Sequence, residues 1–134
     1  MLPTLPPSAR VAFHVQRNES FSKLNVPIAY NVIVTNNGNG MNQTTGTFTA
    51  PVTGLYYFAW NGLAQNRGAT VVSLLLNGIR TLGSAFGHNV NFGLNIHAIV
   101  DLMKGDQVTA VMTTGNVLFD DTNRLTNFIG MLLG

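Results

Sequence analysis

The stretch GTFTAPVTGLYYFAW, Gly46 to Trp60, decides how the rest of the chain is read. It places a Pro51-Val52-Thr53-Gly54 turn between two runs rich in aromatic and β-branched residues, and the turn fixes where the second run begins. Side chains of a strand alternate, so Leu55, Tyr57 and Ala59 face one side and Tyr56, Phe58 and Trp60 the other. Both sides are apolar. An antiparallel sheet normally shows one face to water, so a strand apolar on both faces requires a second sheet or another subunit over each. The stretch predicts a sandwiched strand and a chain that oligomerises.

On either side of it, short apolar runs alternate with clusters of Asn, Gly and Thr, and no segment keeps a helical apolar stripe for three turns. The pattern predicts strands at 11–16, 29–35, 47–49, 55–60, 70–76, 79–82, 91–102, 107–113, 117–119 and 127–133. Asn77-Gly78, between Leu76 and Ile79, is a two-residue hairpin signal, because both central residues of a type I′ turn need positive φ. From Phe92 to Leu102 the even positions are apolar and the odd ones mostly polar, so one face of that strand belongs to the core. Many short strands without helices predict an all-β jelly-roll sandwich of about ten strands. No repeat is visible. The domain spans residues 11–134, and residues 1–10, with three prolines in the first seven, read as a flexible tail.

Composition narrows the function. At 134 residues the chain is one domain able to bury a full core. Hydrophobic residues make up 46% and charged residues 9%, so the surface is carried by Asn, Thr, Ser and Gln. Seven Lys and Arg against five Asp and Glu leave no basic stripe, which argues against nucleic acid as a partner. The absence of cysteine removes disulfides, thiol catalysis and Cys-based zinc sites. No apolar run is long enough to enter and span a bilayer, and the opening MLPTLPPSAR lacks the apolar centre of a signal peptide, so a secreted form would have had its leader removed or replaced. Asn18-Glu19-Ser20 and Asn42-Gln43-Thr44 are sequons that secretion would expose to glycosylation, although such triplets also arise by chance in an Asn- and Thr-rich chain.

The residues at Tyr30, Asn36, Met41, Phe48, Gly54, Tyr56, Phe58 and Trp60 carry a spaced signature of aromatics, Asn and Gly. In spacing it resembles the globular-head domain of complement C1q, a trimeric jelly roll related to the tumour necrosis factor ligands. Tyr30, Met41 and Trp60 depart from the usual residues but keep bulky, largely apolar groups. Val11-Ala12-Phe13 resembles the family's opening strand, Gly105-Asp106-Gln107-Val108 its late turn, and Phe128 to Leu133, with Gly130, its closing strand. The resemblance implies a secreted, extracellular homotrimer, with the second face of Leu55–Trp60 near a subunit contact. A collagen stalk of the kind many relatives carry is not part of this chain.

Enzymatic signatures are missing: no G-x-S-x-G, no phosphate loop and no H-E-x-x-H. Asp120-Asp121 is the one adjacent carboxylate pair, read here as a solvated turn with Arg124 nearby. His14, His88 and His97 lack metal-ligand spacing; His97, on the polar face of its strand, fits a surface or subunit contact. Some trimers of the resembling family bind calcium through carboxylates near residues 82–95, but this chain offers only Ser84, Asn89, Asn91 and Asn95 there, so no metal and no cofactor are expected. Recognition by a polar loop surface remains. The loops at 61–69, 83–90 and 114–116 should gather away from the termini and offer Gln65, Asn66, Arg67, His88, Asn89 and Asn116 to a ligand. Trp60 at the base of the first loop is either a stacking face for a sugar ring or core. The expected function is non-enzymatic binding of glycans or microbial surface polymers. The alternatives are a signalling or adhesion ligand for a protein receptor, and a structural trimerisation cap.

Overall fold

A computed structural model describes residues 10–134. The tail expected at the N-terminus lies, apart from Arg10, outside the described residues. These contain no helix and eleven strands: β1 Ala12–Arg17, β2 Val32–Asn37, β3 Met41–Asn42, β4 Thr47–Thr49, β5 Gly54–Ala64, β6 Thr70–Leu76, β7 Arg80–Gly87, β8 Phe92–Leu102, β9 Gln107–Thr114, β10 Leu118–Phe119 and β11 Thr126–Leu132. In the first sheet β8 and β11 flank β5, β1 follows β11 and β2 closes the row; β10 pairs with the last two residues of β5, beyond the reach of β11. The second sheet runs β3-β4-β9-β6-β7, and every named pairing is antiparallel. This is the expected jelly-roll sandwich.

Four expectations shift. The strand expected at 29–35 lies at Val32–Asn37, because the preceding residues cross between sheets: Ile28 N bonds Ala110 O of β9, Tyr30 N bonds Gln43 O and Asn31 N bonds Gln16 O of β1. Strand β3 was missed, being only two residues long. Strands β5 and β7 continue to Ala64 and Gly87, so residues 61–64 and 83–87 belong to strands rather than loops. The Asn77-Gly78 turn has the two positive φ values it requires, 53° and 73°, but Leu76 pairs with Arg80, so Ile79 joins the connection and the hairpin loop is longer than the two residues expected.

The core is the slab between the sheets. Phe13 of β1 stacks on Phe48 of the second sheet at 5.0 Å between ring centres and meets Phe128 of β11 edge-on at 4.9 Å. Phe48 also meets Tyr56 and Phe58 of β5, both at 5.6 Å. Gly130 makes this possible, since a Cβ there would run into the Phe13 ring and approach Phe58 to 2.8 Å. Trp60 is 1% exposed and therefore core, which corrects its candidacy as a sugar-stacking face. The Tyr30 hydroxyl lies close to the Trp60 indole nitrogen, but the pair falls outside hydrogen-bond geometry and neither has another partner. Burial raises the Tyr30 phenol far above its ordinary value.

Tyr30→Phe should leave stability at neutral pH unchanged or raise it by up to about 1 kcal/mol, because it removes an unpaired buried hydroxyl. A buried phenol whose pKa is raised loses stability once the unfolded chain ionises, so the native protein should weaken as pH climbs above about 10, and the variant should weaken less. Urea unfolding at neutral and alkaline pH measures both. Gly130→Ala should cost about 1–3 kcal/mol in the same assay through overpacking.

Candidate functional site

The antiparallel registers decide which loops meet. At the far end of β5, Ala64 pairs with Phe92 and Leu118; at the start of β6, Thr70 pairs with Gly87 and Val71 with Thr114. The connections at 65–69, 88–91 and 115–117 are therefore brought together. The opposite end holds both ends of the described residues, where Leu55 N bonds Gly134 O and Leu132 N bonds Val11 O. Gln65 ties the three loops: its backbone N bonds Val117 O at 3.2 Å and its side-chain amide donates to Asn91 Oδ1 at 2.8 Å. Asn66 closes its own turn on Ala69 O at 3.0 Å. Of the six residues singled out from sequence, Gln65 and Asn66 thus hold the loops in shape, while Arg67, Asn89 and Asn116 are exposed and make no hydrogen bond among the described residues.

His88 is exposed and lies nearly parallel to Phe86, with ring centres 6.3 Å apart. Phe86 is 61% exposed and was not among the residues singled out. The alternation Gly83, Ser84, Ala85, Phe86, Gly87 signals it: small residues turn inward and Ser84 and Phe86 outward. Beside it, Ser84 and Ser73 share a hydrogen bond of 2.7 Å between their hydroxyls. This end therefore carries an exposed aromatic pair, amides, hydroxyls and one guanidinium, and its three loops contain no Asp or Glu.

A second unpartnered surface is the outer face of the first sheet. Tyr57, Ala59, Ile129, Met131 and Ile99 share it by register, and Ile99 is 65% exposed. A depression of about 260 Å³ opens there, lined mainly by Ala12, His14, Thr35, Tyr57, Ile129 and Met131. Several polar groups on this face are paired, Tyr57 OH with His97 Nδ1 at 2.8 Å, and His14 Nε2 and Gln16 Nε2 on Asn127 Oδ1 at 2.7 and 3.0 Å, while Gln16 Oε1 has no partner among the described residues.

The carboxylate pair differs from its expected solvated turn. Asp120 is buried, and its oxygens accept backbone N–H groups from Asp121, Leu125 and Thr126 at 2.7–2.9 Å. Asp121 stays at the surface on Asn123. Arg17 is the complementary case: its buried guanidinium donates to the carbonyls of Glu19, Ala29 and Ser20 over the Phe21 ring, and burial lowers its pKa. Both charges organise backbone. Among the described residues no group of three or more His, Asp or Glu could hold a metal.

Comparison with known proteins bears on the family and the fold. The model of the C1q domain matches residues 12–133. Human complement C1q tumor necrosis factor-related protein 3 is 31% identical over 132 residues, covering 96% of this chain and 53% of that protein, so the chain spans about half the length of this curated relative. The globular domain of zebrafish complement 1qA protein superimposes with a TM-score of 0.78 at 23% identity, covering 93% of this chain and 98% of that one. Eiger TNF from S. frugiperda superimposes with a TM-score of 0.75 at 14% identity, covering 93% of each chain.

Asp120→Ala should cost at least about 2 kcal/mol by orphaning buried N–H groups, and Asp121→Ala less than about 1 kcal/mol, both read from thermal unfolding. A chelator should leave the melting temperature unchanged; a large drop would reveal a bound cation.

Proposed function

Because the chain belongs to the C1q domain family, we propose that it is a non-enzymatic, extracellular recognition domain that works as a homotrimer and binds glycans or microbial surface polymers through the loops at the end away from its termini. The observation that carries this reading is the division of the surface. The outer face of the first sheet carries an apolar depression beside Tyr57, Ile129 and Met131 with Ile99 exposed next to it, while the three loops at the other surface hold no carboxylate and set amides and one guanidinium beside the exposed Phe86, His88, Val90 and Phe92. The first arrangement suits a face covered by a second copy of the chain, and three copies around an axis close a ring. The second suits sugars, whose hydroxyls pair with amides and whose apolar ring faces stack on aromatics. Arg67 adds a fork for a carboxylate or sulfate. Three weak sites on one rigid assembly then gain strength by avidity.

The other reading is a signalling or adhesion ligand for a protein receptor. It is favoured by the resemblance in fold to a tumour necrosis factor ligand, which extends over 93% of the chain.

Light scattering should return three times the chain mass at micromolar concentration, and Ile129→Asp should lower it. A stable native monomer would end the trimer reading. On a glycan array the protein should bind selectively, and Arg67→Ala and Phe86→Ala should each weaken that binding at least about tenfold, the equivalent of roughly 1.4 kcal/mol. A blank array alongside saturable binding to a protein receptor would replace the glycan reading with the second one.

A further inference from the structure

The chain has two sequons, and the fold treats them differently. Asn18 is held in a reciprocal pair with Asn31: its Oδ1 accepts from Asn31 Nδ2 at 2.6 Å and its backbone N donates to Asn31 Oδ1 at 3.1 Å. The rest of that sequon is wound around the buried Arg17, which takes the carbonyls of Glu19 and Ser20. The Ser20 hydroxyl is itself bonded to the Asp120 backbone, accepting from its N at 3.1 Å. Asn18 is exposed and its Nδ2, like that of Asn42, has no partner among the described residues, but Asn18 to Ser20 is a structural clasp, its hydroxyl bonded to the Asp120 backbone and its carbonyls held by Arg17.

At the second sequon Asn42 is exposed on the two-residue strand β3, at the edge of the second sheet. Its Oδ1 accepts the backbone N–H groups of Thr44 at 3.1 Å and Thr45 at 3.3 Å, an Asx turn that holds the oxygen against the chain. The amide nitrogen has no hydrogen-bond partner among the described residues, and neither does the Thr44 hydroxyl. Asn42 belongs neither to the apolar outer face of the first sheet nor to the gathered loops, so a bulky group there obstructs neither surface. It would instead shield a sheet edge, which open strands otherwise offer to other chains.

We propose that Asn42 is the N-glycosylation site of this protein and that Asn18 is not one. Asn42 Nδ2 attacks the anomeric carbon of an oligosaccharide carried on a lipid diphosphate; the N–C bond forms as the C–O bond to the diphosphate breaks, the lipid diphosphate leaves, and Nδ2 gives up one proton. The proposal rests on the extracellular reading, since this transfer belongs to the secretory pathway.

The test is secretion of the full chain behind a cleavable leader from a eukaryotic host, followed by intact-mass and peptide analysis before and after enzymatic removal of N-glycans. The expected result is one glycan per chain on the peptide containing Asn42, retained in Asn18→Gln and lost in Asn42→Gln. Thr44→Ala breaks the sequon while leaving the Asn42 turn in place, so it gives the same loss if Asn42→Gln does not fold. Secreted, folded chain unmodified at Asn42 overturns the proposal, and so does a glycan on Asn18, with or without one on Asn42. If the leader-fused chain is modified at Asn42 while the chain in its own organism stays inside the cell without glycan, the extracellular reading fails and the site assignment stands.

Discussion

The packing of Phe13 across the sandwich is the interaction on which the other features depend. Its ring reaches over Gly130 to stack on Phe48 of the opposite sheet and to meet Phe128 edge-on. Each fully buried phenylalanine contributes about 1.5–3 kcal/mol through removal from water, and well-placed ring pairs add about 0.5–1.5 kcal/mol more. Three strands distant in sequence are aligned by this contact, because Gly130 pairs with Phe13 on one side and Phe58 on the other. A strand period of two leaves no freedom after that. With Phe58 turned inward, Tyr56 and Trp60 follow it, and Leu55, Tyr57 and Ala59 must turn outward.

The outer face is thus a consequence of the core. Register carries the commitment from β5 into its neighbours, placing Ile99 and His97 of β8 and Ile129 and Met131 of β11 beside Tyr57 and Ala59. The same logic explains the buried charges. Arg17 is a donor-only group among carbonyls, and Asp120 an acceptor-only group among N–H groups, where the chain leaves the sheet at 18–20 and 120–126. Ser20 joins the two clusters through the Asp120 backbone. A charge removed from water needs such full sets of partners, and here backbone supplies them.

Sequence patterning made legible those elements whose signal is local. The turn before Gly54, the Asn77-Gly78 hairpin and the alternation from Phe92 to Leu102 each depend on neighbours in the chain, and each is present. What escaped depends on partners far away. Gly83, Ala85 and Gly87 look like a loop until β8 is seen packed against them: a Cβ at Gly83 would approach Ile96 to 3.1 Å, and one at Gly87 the Phe92 ring to 2.7 Å. Small residues there mark close approach, and the strand they belong to exposes Phe86. Asp120 looked solvated because nothing in its own sequence reveals that Leu125 and Thr126 turn back onto it. Trp60 stood beside a polar loop in sequence, but its parity with Phe58 had already assigned it to the core.

At the loop end, the residues chosen for their donors divide by what the fold asks of them. Gln65 is the tie that joins three connections, so its amide fixes the spacing of its neighbours. For the proposed recognition role that constraint would matter, because ordering a side chain on binding costs about 0.5–1.5 kcal/mol and a loop already held in shape reduces what must be ordered. Arg67, Asn89 and Asn116 then project from a frame braced by Gln65 and Asn66, near the exposed Phe86 and His88 rings. On the proposed reading, such a surface in a charge-poor chain would gain little from long-range steering, so its selectivity would have to come from the geometry of a few polar groups and its strength from repetition. The same inward commitment of Phe58 that closes the core leaves open the face through which that repetition would arise.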